Sequence, residues 1–386
     1  MIVSTQPVTD RSRLSDEHAD MIRATLPLVG SKINEITPVF YSRMFTAHPE
    51  LLRDTFNRGN QKQGDQQKAL AASIATFATM LVNPDAPDPV DMLARIGHKH
   101  VSLGITADQY NIVHEHLFAA IVEVLGADVV TPPVAEAWDA VYWLMADVLI
   151  TMENKLYAAR EVEPGDVFRH VTVTGKKQIS DKVWEYTLQG DLSTPEPGQY
   201  TSVGVVLPDG ARQLRQYSII SGTDMEYRIA VEDHGEVAGF LRDNVEVGDT
   251  VEATLAAGDL VMNKGDNPVL LVSQGIGSTP MVGMLDQVDA ARQVTVLHAD
   301  QSENDHAQRA EMVSLVEGLD NATLHTFYRD ADQWLEVAGH ITPDSSVYLC
   351  GGTTFLQNVR EQIQNLDEQP KEIRFELFAP NDWLIS

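Results

Sequence analysis

The sequence holds a single cysteine, Cys350, so no internal disulfide can form and a disulfide-stapled scaffold is excluded. That scarcity fits a reducing compartment, and the chain is expected to be cytoplasmic. Residues Met1 to Arg13 lack the basic-then-apolar order of a secretory leader. Long hydrophobic runs are missing too. The richest stretch, Val141 to Ile150, carries Asp147, and none approaches the ~18 apolar residues that a membrane span requires. Positive charge is scarce, with 28 Lys and Arg against 56 Asp and Glu. The resulting formal charge of −28 repels phosphate backbones and argues against a nucleic-acid partner.

What is there is the composition of an ordinary folded protein, 43% hydrophobic and 22% charged over 386 residues. At ~150 residues per domain, that length implies two or three domains. Three changes of pattern point to three.

Residues 1–160 read as an all-α domain. Apolar residues recur with helical spacing over Ser15 to Leu26, Ser31 to Phe45, Asp65 to Val82 and Val90 to Val101, separated by Pro, Gly or Asn. Thr106 and Gln109 form a capping-box pattern ahead of a helix that Gly126 stops, and Pro132 and Pro133 open a longer closing helix. The charged Glu161 to Asp166 stretch, with Pro and Gly, has no apolar face to bury. Over 161–266, short alternating runs at His170 to Thr174, Val183 to Leu188, Tyr200 to Leu207, Tyr227 to Val231 and Thr250 to Leu255 predict an antiparallel β-barrel. Over 267–386, strands at Val269 to Val272, Val294 to His298, Thr323 to Tyr328 and Ser346 to Leu349 alternate with helices. This predicts an α/β doubly wound parallel sheet.

Two motifs carry chemistry in the last two domains. Gly275-Ile276-Gly277-Ser278-Thr279-Pro280 follows a strand and opens a helix, where small residues let backbone amides approach a pyrophosphate. Pro280 stands where the dinucleotide fingerprint has its third Gly. Arg215-Gln216-Tyr217-Ser218 lies on a barrel strand, after Tyr200 and before Gly235, Val237 and Ala238. A guanidinium suits a phosphate, a flat ring suits a flavin, and a hydroxyl can hydrogen-bond the atom that accepts hydride. In the helical domain His100 shares an apolar stripe with Leu93, Ile96 and Gly97. Such a His is more often structural than a ligand when nothing else accompanies it.

The Arg-x-Tyr-Ser run, with Cys350-Gly351-Gly352 and Phe378-Ala379-Pro380, resembles the ferredoxin-NADP reductase superfamily. There the Arg holds the FAD diphosphate, the Tyr packs on the flavin and the Ser faces its reactive edge. The superfamily usually has Cys-Gly-Pro and Phe-Gly-Pro at the last two places, so Gly352 and Ala379 are departures. Taken with Tyr41 to Phe45, Asn57 to Gln66, His98 to His100 and Gln109 to Val113 in that order, nearly the whole chain resembles the flavohaemoglobins.

The resemblance implies haem b ligated by His100 and supported by Tyr110 and Glu153, with Lys99 beside it. Tyr41, Gln66 and Leu70 would lie on the oxygen side, and Phe56 would wedge the haem. It further implies FAD and a nicotinamide donor, NADH or NADPH. No basic pair suited to a 2′-phosphate stands out around His298 to Gln308, which points to NADH. The implied activity is a nitric oxide dioxygenase that converts NO to nitrate with dioxygen and electrons passed from NAD(P)H through FAD. Its partners are small molecules only, and the expected state is a monomer. A secondary reading is an NADH-driven reductase of dioxygen or alkyl hydroperoxides. A gas carrier or sensor is the non-enzyme alternative, against which stands the dedicated electron supply.

Overall fold

The computed structural model describes residues 14–54, 65–83, 85, 86 and 90–378, with side chains outside 65–72 and 91. The described residues separate into two compact units, those of 14–167 with 208–214, and 168–207 with 215–378.

The first unit is helical: α1 (Asp16–Ala47), α2 (Pro49–Asp54), α3 (Asp65–Val82), α4 (Val90–Val101), α5 (Gln109–Leu125) and α6 (Pro132–Ala159). The Ser15 side chain accepts a hydrogen bond from the His18 amide and caps α1. The sequence pattern predicted two helices here, broken between Leu26 and Ser31. The structure instead runs one helix through Pro27, Gly30 and Pro38. Propensity loses to packing, because Ile22, Val29, Ile36, Phe40 and Met44 make one buried stripe along its length. The capping-box expectation is met on one side, where Gln109 Oε1 accepts the Thr106 N–H at 2.9 Å. Pro132 and Pro133 occupy the first turn of α6 as expected.

The second unit carries two sheets. Strands β1 (Phe168–Gln178), β2 (Val183–Gln189), β3 (Tyr200–Val206), β4 (Arg212–Gly222), β5 (Glu226–Glu232) and β6 (Thr250–Thr254) close into a barrel of order β1-β2-β5-β4-β3-β6. The pairs β1–β2, β1–β6, β2–β5, β3–β6 and β4–β5 are antiparallel. Alternating residues such as Val171, Val173, Tyr186, Leu188 and Ile229 fill the interior. Helix α7 (Gly235–Asn244) buries Val237, Ala238 and Leu241 against that core.

The following sheet has parallel strands in the order β11-β10-β7-β8-β9. These are β7 (Val269–Gln274), β8 (Val294–Asp300), β9 (Ala322–Tyr328), β10 (Ser346–Gly351) and β11 (Glu372–Leu377), with helices α8 (Ser278–Gln287), α9 (Arg309–Glu317) and α10 (Thr353–Gln364). β11 is an addition to the strands read from sequence; on an outer edge, its Glu372-Ile373-Arg374-Phe375-Glu376 run has no continuous apolar signal. The strand order reverses between β7 and β10, and such switch points open the crevice where α/β sheets take ligands. No helix among the described residues is long and apolar enough to cross a membrane.

Candidate functional site

Helix α4 ends just past His100, and the turn after it closes on the His100 carbonyl. Both Leu103 N and Ile105 N donate to it at 3.0 Å, with Gly104 in the left-handed region at φ 70°. One turn before His100, Gly97 allows α6 to come close, since a Cβ there would lie 2.8 Å from Met152 Sδ. The next residue, Glu153, is thereby brought beside the imidazole. Its Oε1 lies 2.8 Å from His100 Nδ1 and accepts the Tyr110 hydroxyl at 2.6 Å. The same His100 nitrogen is 3.0 Å from the Tyr110 oxygen.

Glu153 is 2% exposed, so the carboxylate depends on these partners rather than on water. Burial first, then the charge and hydrogen bond of Glu153, push the Tyr110 phenol far above its ordinary pKa, and it remains a donor. Two more phenols fix the frame: Tyr142 donates to the Tyr110 carbonyl and Tyr157 to the Ile105 carbonyl, each at 2.7 Å. Neither was singled out from sequence, where a buried Tyr reads only as an aromatic on an apolar stripe.

This arrangement fits an iron-bearing macrocycle by the chemistry of its donor set. With Nδ1–H committed to Glu153, the imidazole is held in the tautomer whose Nε2 carries the lone pair. Lys99 sits half-buried beside it on α4. Tyr41, 4% exposed on α1, packs its ring 4.7 Å from Phe40 and 5.4 Å from Phe45. Gln66 and Leu70 fall on the first turns of α3, though their side chains lie outside the described set, as Phe56 does altogether.

In the second unit, β4 places Arg215 and Tyr217 on one face and Gln216 and Ser218 on the other. The Arg215 guanidinium stands 3.6 Å from Glu236 at the first turn of α7. Gly235 opens that helix at φ 82°, with clear space where a Cβ would be. A cation and helix amides meet there, which suits a diphosphate. Tyr200, buried at the start of β3, lies against Gly258, whose Cβ would come 3.0 Å from its ring.

Gly275, Ile276 and Gly277 form one tight turn between β7 and α8. Gly275 has φ 55° and nothing within 4 Å of its Cβ position, leaving an open cradle over the helix start. A Cβ on Gly277 would meet the Cys350 carbonyl oxygen at 2.5 Å, so the turn packs directly on the end of β10 and on Gly351. Ser278 donates to Gln308 at 2.5 Å and Thr279 to the Ile276 carbonyl at 2.8 Å, while Pro280 is buried within α8. Gln308 was not anticipated, because nothing in its local sequence marks a residue that reaches across to the turn. Phe378 is described and half exposed just beyond β11; Ala379 and Pro380 lie outside the described residues.

Comparison with known proteins agrees with both units. Residues 39–149 match the globin family and residues 271–361 the oxidoreductase NAD-binding domain. The flavohemoprotein of Deinococcus radiodurans is 36% identical over 398 residues, covering 95% of this chain and 98% of that protein. That of Bacillus subtilis is 31% identical over 395 residues, with the same coverage of both chains. Among solved structures, the flavohemoglobin of Malassezia yamatoensis with bound FAD and heme superposes with a TM-score of 0.88 at 32% identity, over 95% of this chain and all of that one. The FAD/NAD binding domain of nitric oxide dioxygenase from Vibrio cholerae covers 54% of this chain and 98% of its own, at 31% identity and a TM-score of 0.50. A likeness of this degree along nearly the whole length shows that the chain belongs to the flavohemoprotein family.

Proposed function

We propose that this protein is a nitric oxide dioxygenase that oxidises NO to nitrate with dioxygen and electrons from a nicotinamide dinucleotide. The observation that carries the reading is the His100–Glu153–Tyr110 cluster, joined in one polypeptide to a flavin-type Arg215–Ser218 strand and a dinucleotide turn. Haem, when bound, supplies the iron at which the two gases react, and FAD splits a two-electron donor into single electrons. His100 holds the metal through Nε2. Glu153 draws on the Nδ1 proton and makes the imidazole a stronger donor, which favours oxygen activation over reversible carriage. Tyr110 and the frame of Tyr142 keep that carboxylate in place.

Tyr41 is the oxygen-side hydrogen-bond donor, with Gln66 and Leu70 following one turn apart on α3. Lys99 supplies positive charge on the proximal side, and Phe56 wedges the haem. Arg215 binds the diphosphate of FAD and Tyr217 and Ser218 contact its ring, with Tyr200, Gln216, Gly235, Val237 and Ala238 completing the cradle. The turn 275–280, Cys350, Gly351 and the Phe378–Pro380 segment receive the nicotinamide donor. Residues 1–160 bind haem, 161–266 FAD and 267–386 the nicotinamide dinucleotide. We place the protein in the cytoplasm as a monomer, a compartment that suits its buried free thiol at Cys350.

The test is direct. Purified protein loaded with haem and FAD, given NADH and dioxygen, consumes NO and yields nitrate in equal amount. Nitrate formation that continues unchanged in His100→Ala would sink the proposal.

A further inference from the structure

Two histidines that the assignments above do not use meet at the edge of the parallel sheet. His325 is exposed on the outer strand β9, in register with Leu297 of β8. His340 is half-buried at the end of a turn, after Gly339 at φ 82°, and its N–H donates to the Val337 carbonyl at 3.1 Å. That turn is tied down independently of β9. The Gln362 side chain of α10 accepts the Val337 N–H at 3.0 Å and donates to the Leu335 carbonyl at 3.1 Å, and Val337 is fully buried. Two separately anchored elements thus bring the imidazole rings to a centroid distance of 4.8 Å, tilted by 56°.

That distance has chemical content. A metal held by an imidazole nitrogen at about 2.0–2.1 Å lies about 3.2 Å from the ring centre, so two rings on one ion at about 90–110° have centres about 4.5–5.2 Å apart. The pair falls inside this window, and two other histidine pairs do not. His48 and His116 stand 5.6 Å apart, with His48 Nδ1 3.2 Å from Glu50. His298 and His306 stack at 3.8 Å and 27°, which sets their in-plane lone pairs side by side instead of converging.

The surroundings leave both rings available. Elsewhere imidazoles are engaged by acids, His100 by Glu153 and His114 by Asp139. His325 and His340 have no hydrogen-bond or ion-pair partner among the described residues. No carboxylate holds a proton on them, and burial, then the neighbouring His325, keeps the His340 imidazole below its ordinary pKa. A neutral imidazole keeps the lone pair that a metal requires. Imidazole nitrogen suits zinc, copper and nickel, whereas magnesium and calcium take oxygen. No group of three or more His, Cys, Asp or Glu among the described residues is arranged to hold a metal ion, so the pair has no competitor there with more protein ligands. Water fills the positions the two rings leave open.

We infer that His325 and His340 form a binding site for a divalent late transition-metal ion such as Zn2+, which clips the edge strand β9 to the turn at 337–340. Bound there, the ion stabilises the folded chain by mass action. The test is calorimetric titration of untagged, full-length holoprotein with Zn2+, a metal that takes no electrons from haem or flavin. Wild type binds one Zn2+ per chain in its tightest class of sites. His325→Gln and His340→Gln each weaken that class by at least about tenfold, the least that disturbing a metal site costs, and the double variant lacks it. Saturating Zn2+ raises the urea midpoint of the wild type and leaves that of the double variant where it was. Without Zn2+ the variants keep the wild-type midpoint, which separates lost binding from lost folding. X-ray absorption at the zinc edge of the wild type shows two imidazole nitrogens at about 2.0–2.1 Å. Absence of a one-to-one site in the wild type, or an unchanged one in the double variant, overturns the inference. A wild-type zinc-edge spectrum with fewer than two imidazole nitrogens overturns it as well, whatever the variants do.

Discussion

Glu153 and His100 meet at 2.8 Å although 53 positions separate them in the chain, and the contact exists because Gly97 lets Met152 of α6 settle onto α4. Replacing Glu153 by Gln keeps the volume but offers the imidazole a neutral acceptor. Loss of such a partner costs about ten- to a hundredfold in activity. We expect NO consumption by Glu153→Gln to fall within that range while the haem absorbance stays close to wild type, as read by an NO electrode and an absorption spectrum of the same sample.

Tyr110→Phe deletes the 2.6 Å hydrogen bond to a carboxylate that is 2% exposed. A buried acceptor stripped of one partner costs about 1–3 kcal/mol. The helical unit is therefore expected to unfold at lower urea concentration, and its haem to transfer faster to an acceptor globin. If neither changes, Glu153 does not depend on the phenol.

Three glycines of the second unit respond differently to alanine. At Gly277 the new Cβ would sit 2.5 Å from the Cys350 oxygen, a backbone atom that cannot rotate aside, so the turn itself must move. About 1–3 kcal/mol of stability is lost, and the KM for NADH rises. At Gly275 there is room, but φ 55° makes a side chain cost about 1–2 kcal/mol and fills the cradle. Gly239, inside α7 with open space around it, gains up to about 1 kcal/mol on becoming Ala. Denaturant midpoints for the three variants should fall in that order of sign.

The His306 ring has its pKa pushed down to about 2, chiefly by burial and then by the neighbouring His298. The folded state refuses a proton that the unfolded chain takes near its ordinary value of 6.5. Stability is therefore intact above that pH and is lost as pH falls below it, at up to ~1.4 kcal/mol per pH unit for one group. Hydrogen exchange, corrected for intrinsic rates, should show β8 and β9 losing protection between pH 7 and pH 5 in the wild type. The loss should be smaller in His306→Gln, and an equal loss in both would show that other groups carry the effect.

Much of the plan was readable along the chain, and the residues that escaped did so for physical reasons. The turn at Gly275 and the capping Gln109 announce themselves because their partners lie within a few residues. His100 and Glu153 could be joined only through a family resemblance, since each taken singly looks like a structural His and a surface carboxylate. Pro27 and Gly30 read as a break by propensity, and only the buried stripe of α1 overrules them. The buried polar contacts of His298 and Gln308 were invisible. Their partners, Ser273, Asp300 and Ser278, are brought near by parallel strand register and by the helix after β7, which no local pattern encodes.

The unbroken course of α1 constrains how long its segment can be. Each residue advances an α-helix by about 100°, so inserting or deleting one residue between Ile36 and Tyr41 would turn Tyr41 out of the interior while leaving Ile22 and Val29 seated. A loop at Pro27 would have absorbed such a change of length; a rod cannot. Insertions tolerated during divergence should therefore gather before Ser15 or after Ala47, and hardly ever within the rod.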